Sequence, residues 1–339
     1  MSSLPPRNST FSRPHRLAPA VVQAEKPQHH LIIGTGPVAR AVGKALLNKG
    51  IRAHFVSRKP LQQQLPAACT HSVADAHDPK ALRRIVDRAT MVYHCAQPQA
   101  AKWDTEHILL TRTIALAAAG FKVPLLVPQS SESLGKPWAS VMSNRHPIAP
   151  VSRRGRVLAQ IAAELFAMRS THALQFAIVR GGESFGPGIT GGTLGECIFR
   201  AALRGRRVLL MGNPEASRSF NYIDDFGETL AALGGLAQQA EFWGRDWIAP
   251  QLGPLTPLQF AGFVRHALGQ NMPTTQLGKA DLILHAAFNR TARGGLSRYY
   301  TYNNNYILDG SDLQNRLAQK PTSMLEAMTQ TLAWYRQNV

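Results

Sequence analysis

HHLIIGTGPVARAVGKALLNKG, residues 29–50, is the stretch whose reading decides the fold. Leu31, Ile32 and Ile33 form a short apolar run that halts at Gly34. From Val38 onward, Val42, Ala45, Leu46 and Leu47 recur at helical spacing. The stretch therefore reads as a buried strand, a glycine turn and a helix, and IRAHFVSR supplies a second strand directly after it. Gly34, Gly36 and Ala39 satisfy G-x-G-x-x-A. Without a Cβ the turn lets backbone pass close to a pyrophosphate, and the helix N-terminus offers that anion free N–H groups and a positive dipole end. Gly34, Thr35, Gly36, Pro37, Val38 and Ala39 are thus expected to hold a dinucleotide.

The alternation continues outward from this unit. Helices at 81–89, 105–121 and 155–169 separate strands at 91–96, 123–130 and 174–182. The pattern predicts an α/β fold, a Rossmann-type doubly wound parallel sheet with right-handed crossovers. Ligands of such sheets sit outside the carboxyl ends of the strands, so the residues just after each strand are the candidates. At the end of strand two an acid would bind the ribose 2′-hydroxyl of NAD. Ser57, Arg58 and Lys59 stand there instead, and their donors favour a 2′-phosphate. NADP is the expected cofactor, with NAD as the alternative. From about residue 184 the texture changes. FGPGITGG reads as a loop, RVLLMG and EFWGRDWIAP as short strands, LTPLQFAGFVRHAL and SMLEAMTQTLAWYRQ as helices. The expected organisation is a disordered tail over 1–28, a dinucleotide-binding domain over 29–183 and a smaller substrate lobe over 184–339, interleaved with the end of the sheet.

Composition narrows the function classes. The chain has 339 residues, a formal net charge of +18 and no apolar run near the ~20 residues of a membrane span. Its three cysteines, Cys69, Cys95 and Cys197, form no C-x-x-C pair, which argues against a disulfide framework or a zinc site, so no metal is expected and a reducing, cytoplasmic setting fits. The leader 1–28 carries five prolines and a net +3; being rich in Arg and Ser and poor in acids it also fits an organellar transit peptide, the secondary reading. The other +15 lies on the folded part, in clusters such as Arg153–Arg154–Arg156. No aromatic platform accompanies them, so small anionic ligands are favoured over nucleic acid as partners.

Several segments, in order, resemble the extended side of the short-chain dehydrogenase/reductase superfamily, the NAD-dependent epimerase/dehydratase proteins. They are VADAHDPKAL, MVYHCAQP, LLVPQSSESLG, IVRGGESFGPG, RSFNYIDDFGETLAAL and the closing YILDGSDLQNRLAQKPTSMLEAMTQTLAWYR. The resemblance spans about residues 29–337. It implies that Asp75 and Ala76 meet the adenine, that Cys95, Ala96 and Gln97 lie under the cofactor, and that Ser130 occupies the position of the catalytic Ser, with Ser131 as the alternative register. It also implies that Arg218 of the R-x-F-x-Y element holds an anionic substrate group or pairs structurally with Asp224 or Asp225. The expected partners are a small-molecule substrate and a second copy of the chain in a homodimer.

Two departures matter. The glycine turn is one residue shorter than the usual G-x-x-G-x-x-G. The family's Tyr-x-x-x-Lys falls on PVSRRGRVLAQ, where Ser152 stands for Tyr and Arg156 for Lys. A Ser hydroxyl is far too weak an acid to copy a tuned phenol, and an Arg cannot be deprotonated, though its planar donors can hold a ribose or a phosphate. Tyr93 reads as core and Tyr222 belongs to the R-x-F-x-Y element, so no tyrosine is expected to substitute. Glu132 and Glu183 flank the expected cleft and are its candidate acid–base or substrate-binding carboxylates. The sequence supports an NADP-dependent oxidoreductase or epimerase on a small, unidentified substrate for which an anion is a candidate, with Ser130, Ser152 and Arg156 as candidate catalytic residues. The alternative is a catalytically silent dinucleotide-binding redox sensor or regulator.

Overall fold

A computed structural model describes residues 29–61, 65, 69–99, 102–286 and 290–339. The leader 1–28 lies outside the described residues. The first unit is β1 (His29–Ile33), α1 (Pro37–Asn48) and β2 (Ala53–Ser57). It is followed by β3 (Thr70–Val73), α2 (Pro79–Val86), β4 (Ala89–His94), α3 (Trp103–Gly120) and β5 (Leu125–Ser130). Then come α4 (Arg153–Thr171), β6 (Phe176–Gly181) and the short β7 (Glu183–Phe185). A π-helical turn, Thr193–Arg200, runs into α5 (Ala201–Leu203), then β8 (Val208–Met211), β9 (Arg218–Tyr222) and α6 (Ile223–Gly234). The chain ends with β10 (Arg245–Ile248), β11 (Leu252–Leu255), α7 (Pro257–Leu268), β12 (Thr274–Leu277), α8 (Lys279–Ala286), α9 (Arg290–Ser297), α10 (Tyr299–Asn303), α11 (Ser311–Arg316) and α12 (Met324–Asn338).

Seven strands form one sheet in the order β10-β6-β5-β4-β1-β2-β3, every pair parallel. This is the doubly wound arrangement expected. Alternate strand residues feed opposite faces. Leu31, Ile33, Val92, Leu125, Val127 and Ile178 pack under α2, α3 and α4, while Ile32, Phe55, Tyr93, Leu126, Val179 and Trp247 pack under α1, α6 and α11. Each such buried side chain stabilises the fold by about 1.5–3 kcal/mol, which makes the sheet a rigid platform. The strand Thr70–Val73 was not foreseen from sequence. It has no buried residue, so no apolar periodicity marks it, and pairing with β2 alone defines it.

The later chain builds a second core around Phe185, Phe199, Phe220, Tyr222 and Phe260, whose rings meet edge-on, tilted or, for Phe185 and Phe199, stacked. Between β9 and β11 the chain returns to the first platform: α6 packs on α1 and β10 adds the sheet's last strand. The β7–β9–β11 ribbon thus grows from the carboxyl end of β6. No helix among the described residues is long and apolar enough to cross a membrane.

Candidate functional site

The carboxyl ends of β1, β2, β3 and β4 open into a cleft of about 1410 Å³. Gly34 sits there with φ +112°, and a Cβ on it would lie 2.8 Å from the backbone of Cys95 and Ala96. The first glycine is therefore required for two strand ends to approach. Gly36 differs. It is the N-cap of α1, no side chain caps that helix, and a Cβ on it would meet nothing within 4 Å. Open space lies above an uncapped helix N-terminus, the cradle a phosphate group fits. Arg40, Lys44, Arg58 and Lys59 line the same cleft and Asp224 is its paired acid, at 2.6 Å from Lys44.

Eleven of the thirteen candidate dinucleotide residues line this cleft: Gly34, Thr35, Gly36, Pro37, Ser57, Arg58, Asp75, Ala76, Cys95, Ala96 and Gln97. Val38 and Ala39 do not; Ala39 is fully buried in the core beneath α1, where its small side chain lets helix and sheet approach. Ser57 hydrogen-bonds the Lys59 carbonyl and His71. Asp75 accepts from the His77 backbone N–H, the main reason its carboxyl is held below the usual range. Gln97 accepts from the Trp103 indole, fixing the turn after β4. The residues present therefore fit a nicotinamide dinucleotide.

The other candidates do not line that cleft. Ser130, Glu132, Ser152, Glu183 and Arg218, but not Arg156, gather around a cluster of ion pairs, the charged chamber, at the ends of β5, β7 and β9. Ser131–Leu134 forms a short 3₁₀ turn after β5 that buries Glu132. Glu132 accepts the Ser152 hydroxyl at 3.0 Å and faces the guanidiniums of Arg154 at 3.7 Å and Arg298 at 3.8 Å. Arg154 also covers the Trp103 ring, 4.5 Å from its centroid. Glu183 pairs with Arg218 at 3.5 Å; burial raises its carboxyl pKa, against the pull of Arg218 and Arg298. Arg218 also donates to the Met211 carbonyl, and its partner is thus Glu183 rather than Asp224 or Asp225. Asp225 instead accepts from Thr322, tying the closing segment to α6.

The position of the family's Tyr has a structural occupation here. Ser152 caps α4, accepting the Gly155 N–H at 2.9 Å, and its one hydroxyl proton goes to Glu132. Arg156 is exposed and donates to the Val151 carbonyl, away from both the cleft and the chamber. Ser130 Oγ is buried with no partner among the described residues. A fully buried guanidinium underpins this strand end: Arg180 binds Asp246 of β10 at 2.6–2.9 Å, Gln129 at 2.8 Å and the Ser133 hydroxyl.

Sequence reasoning missed the contribution of the RYYTYNNNY run. It places Arg298, Tyr300 and Tyr302 beside Glu132 and Glu183, and Tyr306 donates to the Ser131 carbonyl at 3.0 Å. Tyr93 and Tyr222 are the only tyrosines that the sequence brings into question for the family's Tyr; the structure adds Tyr300, Tyr302 and Tyr306 to the neighbourhood of Glu132 and Glu183. The only sequence signal of this cluster was the density of aromatic residues.

A Rossmann-type α/β protein with a cleft at the carboxyl ends of its strands is the class that the fold defines. The chain belongs to the NAD dependent epimerase/dehydratase family, whose model matches residues 31–239. It is similar in structure to UDP-N-acetylglucosamine 4-epimerase from Methanobrevibacter ruminantium, with a TM-score of 0.75 at 15% identity over 93% of this chain and 100% of that one. A dTDP-glucose 4,6-dehydratase double mutant from Streptomyces venezuelae, with NAD bound, gives 0.73 at 16% identity over 91% and 97%. UDP-glucuronic acid 4-epimerase from Bacillus cereus, in complex with NAD, gives 0.73 at 15% identity over 91% and 99%. No curated protein sequence matches significantly.

Proposed function

We propose that this protein is an NADP-dependent oxidoreductase or epimerase acting on a sugar-nucleotide-like, anionic small molecule. The dinucleotide sits in the cleft built mainly by residues 29–183 and closed by Pro187, Gly188, Thr190, Asp224, Trp334 and Asn338, and the substrate at the charged chamber completed by residues 184–339. The open space over Gly36 at an uncapped helix N-terminus carries the reading. A bound nicotinamide supplies or accepts hydride; the chain's own part is to bind, orient and hold protons. Ser130 offers a hydroxyl to a substrate oxygen, Glu132 is the buried carboxylate within reach of Ser152, and Arg218 and Arg298 meet negative charge. Cytoplasmic location fits three free thiols. A homodimer through α3 and α4 fits the exposure of Leu109, Leu116 and Phe166 on those helices.

NADPH is expected to bind at least tenfold more tightly than NADH, because a charge-assisted bond to the 2′-phosphate contributes about 1.5–3 kcal/mol. Calorimetry with both cofactors and with Arg58→Ala checks this. Equal affinities, or an unchanged NADPH affinity in the variant, would sink the NADP assignment. A second reading, a silent dinucleotide sensor, is supported by Ser152 committing its proton to Glu132 and by Arg156 lying outside the cleft. Turnover of a panel of carbonyl compounds and sugar nucleotides with NADPH or NADP⁺ separates the two.

A further inference from the structure

One wall of the dinucleotide cleft comes from the later part of the chain. Pro187, Gly188 and Thr190 of the loop after β7 line it, and so do Trp334 and Asn338 of α12. The loop sits at the start of α1: a Cβ on Gly188 would lie 3.4 Å from the Cβ of Pro37, the first residue of that helix. The Tyr335 hydroxyl donates to the Ile189 carbonyl and so ties α12 to the same loop. Further bonds hold the helix at two other places. Thr322, just before it, donates to Asp225 of α6 at 2.6–2.9 Å, and Tyr222, at the end of β9, donates to Gln330 at 2.6 Å. Tyr335 is buried in the second core, whereas Trp334, one residue earlier and on another face of the helix, is half-buried and reaches the cleft. The helix is thus a fixed support. The indole it presents is a large, stiff surface that loses little conformational freedom when a ligand packs on it.

We propose that Trp334 is a dinucleotide-binding residue whose indole packs against the cofactor where it passes the N-terminus of α1, completing from α12 a site built mainly by the glycine turn and the strand ends. This rests on the reading of the cleft as a dinucleotide site. The N-terminus of α1 is where the pyrophosphate is expected, and that part of the ligand is common to NAD and NADP. Arg58 and Lys59 stand elsewhere, after β2, where the 2′-phosphate is expected. Loss of the Trp334 surface should therefore weaken both dinucleotides by the same factor.

The test is titration calorimetry and tryptophan fluorescence with NADP⁺ and with NAD⁺, on wild type, Trp334→Phe and Trp334→Ala. Both dinucleotides are expected to quench part of the wild-type emission. Trp334→Phe should lose most of that quenched component, with binding weakened only slightly because a ring remains. Trp334→Ala should weaken NADP⁺ and NAD⁺ alike, by about tenfold. A loosened helix would lower the melting temperature without selecting the emission of one indole, so the quenching separates contact from folding. Dinucleotide that binds wild type without quenching it, quenching undiminished in Trp334→Phe, or wild-type affinity in a folded Trp334→Ala overturns the role of Trp334 and leaves the cleft assignment standing. A wild-type protein that binds neither dinucleotide overturns the cleft assignment and the role of Trp334 with it.

Discussion

The dinucleotide cleft and the charged chamber are built from different materials. The cleft is made largely by backbone: glycines, strand ends and a helix terminus from the first four strands of the chain, closed by later residues such as Pro187, Gly188 and Trp334, with cations at its rim. The chamber is made by side chains from distant parts of the chain, Glu132, Arg154, Glu183, Arg218 and Arg298, each paired with another of opposite charge. A backbone site is broken by adding a Cβ, whereas an ionic site is broken by removing a charge. The first is written in local sequence, and the second exists only once the chain has folded.

The largest effect is expected beneath the chamber. Arg180→Ala leaves Asp246, Gln129 and Ser133 without their shared donor in a fully buried place. Removing one partner of a buried ion pair costs about 3–5 kcal/mol, and a denaturant titration showing less than about 1 kcal/mol would show that side-chain charge does not hold this region. In the cleft, Gly34→Ala sets a Cβ 2.8 Å from backbone at a φ of +112°, and a loss of about 3 kcal/mol is expected from overpacking and strain. Gly36→Ala is the sharper half of the comparison. It meets nothing within 4 Å, so stability should hold while dinucleotide affinity falls. Melting temperature and calorimetry on the two variants separate folding from binding, and a Gly36→Ala protein with wild-type affinity would break the cleft assignment.

Acid should act chiefly on buried imidazoles. Burial, with His29 beside it, lowers His30 from 6.5 to about 4, and burial, with Arg154 beside it, lowers His107 from 6.5 to about 4. The unfolded chain therefore binds protons that the folded one refuses. The contribution of these groups is complete above pH 6.5 and is lost as pH falls toward 4. At about 1.4 kcal/mol per pKa unit, the two groups together give an expected decline of roughly 6 kcal/mol across that window. Glu183, whose pKa is raised, works in the opposite sense and offsets part of the decline. Denaturant titrations at several pH values check this, and His107→Gln should flatten the profile.

The smallest effects belong to the two residues in the family's catalytic positions. Ser152→Ala removes a cap from α4 and one partner of Glu132, for about 1 kcal/mol of stability. Turnover, where found, should change little, because the Ser152 proton is committed to Glu132. A fall of about 10²-fold or more, the size of a lost general acid–base group, would return the proton to Ser152. Arg156→Ala should leave cofactor affinity unchanged, since Arg156 is exposed and bonded to Val151. A large loss of affinity would move Arg156 back to the cofactor.

What the sequence determined by itself was whatever short-range pattern encodes. The apolar run Leu31–Ile33, the turn at Gly34 and the helical spacing after Val38 give one βαβ unit. Repetition of that pattern gives the parallel sheet and its carboxyl-end cleft, because a buried strand and an amphipathic helix each carry their periodicity in consecutive residues. The strand Thr70–Val73 escaped because no face of it is buried. Tertiary structure alone decided the chamber. Glu132 and Arg298 are far apart in the chain, and nothing in either segment marks the other as its partner. The same holds for Ser152, which as a sequence position reads as a damaged catalytic group and in space is a helix cap holding Glu132. Charge pairing has no periodicity and acts through space, so it becomes visible only when the backbone has placed the partners.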